Sequence, residues 1–79
     1  MSVSLTIERN EKTLNIVLPS ILDRNNAADV LSAINEKLDD GIDSIVFKAD
    51  DLKYISADGL DVILELKKNL LQKLKRHLL

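Results

Sequence analysis

Residues 13–49 read TLNIVLPSILDRNNAADVLSAINEKLDDGIDSIVFKA, and the periodicity of this stretch decides the fold. Leu14, Ile16 and Leu18 alternate with Asn15 and Val17, the two-residue period of a strand, until Pro19 and Ser20 end it. Ala27, Val30, Leu31, Ile34 and Leu38 then recur every three or four residues, as on one face of a helix. Asp23 or Asn25 can cap that helix, and Gly41 stands where a left-handed residue would close it. The run Ile45, Val46, Phe47 follows too soon for a second helix, and uninterrupted apolarity predicts a strand over 44–49, covered on both faces and central in the sheet. A strand, a helix and a strand in this order predict a parallel pair with a right-handed crossover.

Upstream, Val3, Leu5 and Ile7 alternate with Ser4, Thr6 and Glu8, which predicts an edge strand over 3–8. The polar residues 9–12 join it to the next strand as a hairpin, making the first strand antiparallel. Downstream, a loop over 50–53 leads to Tyr54 and Ile55 and then to Ser56, a natural N-cap for a helix beginning at Ala57 or Asp58. Leu60, Ile63, Leu64, Leu71, Leu74 and Leu78 are expected to form its apolar stripe, widened by Leu70 and Leu79, and only Asn69 offers a break. The expected fold is α/β, in the order β-β-α-β-α: a small mixed sheet covered by helices, ending in a long C-terminal helix. One domain spans 1–79, with 66–79 an atypical amphipathic tail.

Composition narrows the function. Of 79 residues, 46% are hydrophobic and 30% charged, the balance of a folded domain of the smallest independent size. With no cysteine there is neither a disulfide framework nor a thiolate metal site, and a cytoplasmic setting is the expectation. No basic n-region precedes an apolar block at the N-terminus, and no apolar run reaches membrane-spanning length. Two aromatic residues, Phe47 and Tyr54, make no stacking platform, so no nucleic acid is expected as a partner. His77 is the only histidine, and the pairs Asp39/Asp40 and Asp50/Asp51 lack the spacing of a calcium loop, so no metal or other cofactor is expected. No nucleophile-base set or phosphate-cradling glycine loop is present, and the expected answer is a protein that is not an enzyme.

Two stretches resemble the STAS domain family, of the anti-sigma-factor-antagonist type. Asp23, Arg24, Asn25, Asn26 and Ala27 resemble the D-x-x-N-A start of that family's first helix, and 52–64, LKYISADGLDVIL, resembles its signature at the opening of the second helix. The resemblance implies a protein-interaction module that docks on a regulatory partner, an anti-sigma-factor kinase or a transporter subunit. Docking would use residues 56–64 and the facing 23–26 region, in particular Asp23, Asn26, Ser56, Ala57, Asp58, Gly59 and Leu60. Some members are phosphorylated on a Ser or Thr two residues before the signature Gly. Here that position is Ala57, which has no hydroxyl, and Ser56 reads better as a helix cap. Asp58 and Asp61 occupy the positive end of the helix dipole, so a protein surface is the expected ligand and not a free anion.

The family also continues after the second helix into a further parallel strand and helix, whereas this sequence runs on without a turn from Lys67 to Leu79. All 13 acidic residues and six of the 11 basic ones lie in the first 66 residues, a net charge of about −7, and the last 13 residues carry about +5. Three readings of this basic, leucine-rich tail stay open. It covers its own sheet, it forms a homodimer seam through Leu71, Leu74 and Leu78, or it lies on a membrane surface, the last disfavoured by the acidic body. The alternative to a regulatory module is therefore a shortened STAS-like scaffold that homodimerises through this helix and has no ligand.

Overall fold

The computed structural model describes residues 5–39 and 41–78. β1 (Thr6–Asn10) and β2 (Thr13–Val17) form an antiparallel hairpin in which Ile7 faces Ile16 and Asn10 faces Thr13. The turn is shorter than the polar stretch 9–12 suggests: Arg9 and Asn10 belong to the strand, because a ladder uses backbone groups whatever the side chains are. Only Glu11 and Lys12 turn, with Glu11 in the left-handed region at φ 58°, as two-residue hairpins require. Val3 and Ser4 lie outside the described residues.

β2 also pairs in parallel with β4 (Ser44–Lys48), Leu14 opposite Ile45 and Ile16 opposite Phe47. The sheet is mixed, as expected, but its order is β1-β2-β4, so β2 is central and β4 forms an edge. The apolar run of β4 does not mean two covered faces. Ile45 and Phe47 turn partly into the core beside Leu14 and Ile16, while Val46 points the other way and is 43% exposed.

Between these strands lies α1 (Ala27–Lys37), with Ala27, Val30 and Ile34 buried. It is not closed by a left-handed glycine. Leu38 leaves the helix in an extended conformation, no glycine has positive φ, and the exit lets Leu38 and Ile42 both enter the core. Gly41 donates its N–H to Asp39 Oδ1 at 2.8 Å, and Arg9 from β1 pairs with the same carboxylate.

Two further strands escape sequence reading. β3 (Ile21–Leu22) and β5 (Tyr54–Ile55) pair in parallel as a second sheet, Ile21 with Tyr54 and Leu22 with Ile55. Two residues are too few to show a period.

α2 (Ala57–Leu78) is one unbroken helix of 22 residues. Asn69 does not interrupt it, and its side-chain amide instead donates to Asn35 Oδ1 of α1 at 3.2 Å. The phase of the helix differs from the expected stripe. Among the described side chains its buried residues are Gly59, Val62 and Leu66, supported by Ile63 and Leu70, whereas Leu60, Leu64 and Leu71 are about half exposed. The reason is at the helix start, where close approach to β3 fixes the rotation through Gly59. No polar side chain is buried among the described residues.

Candidate docking site at the start of the second helix

Parallel pairing of β3 and β5 brings both chains out of the small sheet at the same end. Each then enters a helix, so residues 23–26 and the start of α2 stand side by side. Ser56 N–H donates to Leu22 O at 3.0 Å, tying the second helix start to the strand that feeds the first.

The 23–26 segment holds its own shape. Asp23 Oδ1 accepts from Asn25 N at 2.9 Å, and Asn26 Oδ1 accepts from Asp23 N at the same distance. Asn26 Nδ2 reaches back to Ile21 O at 2.7 Å. Neither Asp23 nor Asn25 occupies the cap position. Asn26 does, and its side chain makes no capping hydrogen bond, being used to fasten the turn. Asp23 and Asn26 are half-buried and spend their polar atoms internally, which leaves Arg24 and Asn25 as the exposed tip.

At α2, Ser56 caps the helix: its hydroxyl oxygen accepts from Gly59 N–H at 3.3 Å, and its carbonyl accepts from Leu60 N–H. Ala57 and Asp58 form the exposed first turn. Gly59 is buried because nothing larger fits. A Cβ there would meet Leu22 O at 2.5 Å and Ile55 Cγ1 at 2.8 Å. Leu60 projects outward, 51% exposed.

Of the expected docking residues, then, Ala57, Asp58 and Leu60 are presented to solvent, and Asp23, Asn26, Ser56 and Gly59 build the platform beneath them. Next to them a groove of about 310 Å³ runs between the helices, with Ala27, Ala28, Leu31 and Val62 along it and Asp58, Asp61 and Glu65 on its α2 side. Sequence reading did not assign this groove or Glu65, although the 58, 61, 65 spacing of the acids is that of one helix face. Of the expected dimer residues, Leu71 is exposed and Leu74 half-buried, and the side chain of Leu78 lies outside those described. Among the described residues, no group of three or more His, Cys, Asp or Glu side chains is placed to hold a metal, and no helix is long and apolar enough to cross a membrane.

The family model of the STAS domain matches residues 4–78. The chain belongs to the STAS domain family. Among solved structures, the STAS fold seen here is similar to part of a protein described as Mglu, with a TM-score of 0.73 and 24% identity over 86% of this chain and 17% of that one. It is also similar to the anti-sigma factor antagonist SpoIIAA in its unphosphorylated form, with a TM-score of 0.62 and 19% identity over 85% of this chain and 63% of that one. The chain thus spans less than two thirds of either. At these identities the likeness is one of fold. No curated protein sequence matches the chain.

Proposed function

We propose that this STAS domain is a regulatory binding module without catalytic activity, working in the cytoplasm and docking on a protein partner through the start of α2. The observation that carries this reading is the parallel β3–β5 pair, which sets the exposed Ala57, Asp58 and Leu60 beside the turn of residues 23–26 at one end of the fold. A half-exposed leucine among charged neighbours, held by a capped helix and a fastened turn, has the make-up of an anchor for a protein surface. The acids of the first turn favour a partner with basic residues around an apolar pocket.

The likeness to an anti-sigma factor antagonist and the family resemblance favour a kinase-type anti-sigma factor, with a transporter subunit as the other candidate. Ala57 at the exposed first position of the helix supplies no phosphoacceptor, so docking of this module would not be released by phosphorylation there. Titration of purified kinase-type anti-sigma factors by calorimetry tests the reading. Binding that is lost in Leu60→Glu and kept in Leu71→Glu supports it, and equal loss in both places the contact elsewhere.

A second reading, a ligand-free scaffold that pairs with itself through its C-terminal helix, is favoured by the exposure of Leu64 and Leu71.

A further inference from the structure

The outer face of α2 carries a narrow apolar stripe flanked by a charge pattern that matches its own reverse. At 100° per residue, Leu60, Leu64 and Leu71 cluster about 120–160° around the helix from the buried Leu66. They are 51%, 61% and 46% exposed, so this stripe is not used by the chain's own core. All acids of the helix, Asp58, Asp61 and Glu65, precede all of its basic residues, which begin at Lys67 and Lys68 and continue to Arg76.

We propose that α2 pairs antiparallel with α2 of a second copy, along Leu60, Leu64 and Leu71. This goes beyond docking of a regulatory partner and commits to a register different from a Leu71/Leu74/Leu78 seam, because Leu74 is partly taken up at home. A parallel pair would set acids against acids and bases against bases. An antiparallel pair sets the acidic half of each helix on the basic half of the other and opposes the two helix dipoles favourably. With Leu64 of one copy facing Leu71 of the other, a two-fold axis falls near residues 67 and 68, and the interface is isologous.

In an antiparallel pair each flank of the stripe meets its own reverse. On the flank that carries Asp61, Glu65, Lys68 and Lys75, this register brings Asp61 opposite Lys75 of the second copy and Glu65 close to its Lys68. All four side chains are exposed. Lys67 on the other flank and Lys68 on this one both lie near the axis, and each also meets its own copy there. That repulsion acts between solvated ammonium groups on flexible stems and is screened at physiological salt.

The absence of cysteine makes a direct test simple. Full-length Leu64→Cys and Leu71→Cys chains are mixed in equal amounts at high micromolar concentration and oxidised. A cross-link joining one chain of each kind, in clear excess over like-with-like links, is expected. Like-with-like links in excess mean parallel pairing and overturn the proposal. Sedimentation of the parent should show twice the chain mass, and Leu64→Glu, at an exposed site, should raise the dissociation constant by tenfold or more while the fold is kept. Asp61→Lys should weaken pairing, and adding Lys75→Asp should restore it. A parent that stays monomeric, or that gains mass only with anionic lipid vesicles, overturns the proposal. Pairing covers Leu60 as well, so the second copy and a docking partner compete for it. Leu71→Glu, which breaks the pair and leaves Leu60 exposed, reads docking by itself, and its failure to bind a partner leaves the cross-linking result untouched.

Discussion

The backbone carbonyl of Leu22 occupies the space where a side chain on Gly59 would begin, 2.5 Å from the position of its Cβ. A glycine inside a helix ordinarily costs about 1 kcal/mol relative to alanine, so Gly59→Ala in a free helix would stabilise. Here the sign reverses. The obstacle is backbone held in the β3–β5 ladder, not a flexible side chain, and relief requires α2 to move off the small sheet. We expect Gly59→Ala to lower stability by about 1–3 kcal/mol, the range for overpacked cores. An unchanged or higher urea midpoint would refute the close approach.

The rotation of α2 can be tested with two leucines two positions apart. Leu66 is fully buried and Leu64 is 61% exposed. Leu66→Ala should cost about 2–5 kcal/mol. Leu64→Ala should cost well under half of that at concentrations where the chain is monomeric. Equal losses would restore the stripe expected from sequence.

Ser56 and Ala57 divide two roles that neighbouring residues are easily confused over. Ser56→Ala removes the acceptor of the Gly59 N–H and should cost about 1 kcal/mol, with Ser56→Asp close to neutral. Incubation with a kinase-type anti-sigma factor and ATP should leave the intact mass of the parent unchanged, because position 57 has no hydroxyl. A phosphate mapped to Ser56 would contradict both assignments.

Asp39 sets an acid limit on one corner of the fold. The Gly41 N–H holds its carboxyl below the ordinary value of 3.8, desolvation opposes this, and Arg9 and Lys73 add to the lowering. A carboxyl with a lowered folded-state pKa stabilises above its unfolded value, and the contribution is lost as pH falls through the folded one. The stability gap between the parent and Asp39→Asn should therefore be present at neutral pH and close in acid. Part of the gap should survive added salt, since the Gly41 hydrogen bond is local while the Arg9 attraction is screened. A gap that widens in acid would reverse the assignment.

The larger elements were legible because each repeats a period over several residues. Leu14 and Ile16 mark β2, and Ala27, Val30 and Ile34 mark α1, and all of them are buried. What sequence could not show depends on contacts between distant segments. β3 and β5 are two residues each and exist because they meet. The centrality of β2 over β4 is a matter of pairing, to which the apolar run of 45–47 is indifferent. The rotation of α2 misled because leucines outnumber the residues that turn inward: Val62 and Leu66 sit among more leucines than the core can take, and a glycine carrying no hydrophobic signal decides the phase. At the candidate docking site the motif residues stand out in the sequence but their tasks do not, since Asp23 and Asn26 could only be known as fasteners once their hydrogen-bond partners were in place.

The two-residue ladder between β3 and β5 has a consequence for how the molecule breathes. Its strands lie on either side of α1 and β4 in the chain, and among the described residues the backbone bonds across the junction include those that Lys53 and Tyr54 donate to Ser20 and that Ser56 donates to Leu22. So short a seam opens at a cost well below that of unfolding β2 from its two neighbours. When it parts, the anchoring of the 23–26 turn and of the α2 cap is released in one event. Amide protons of Ser56 and Gly59 should therefore exchange with solvent at a shared rate, ahead of those in β2, and a bound partner should slow them together.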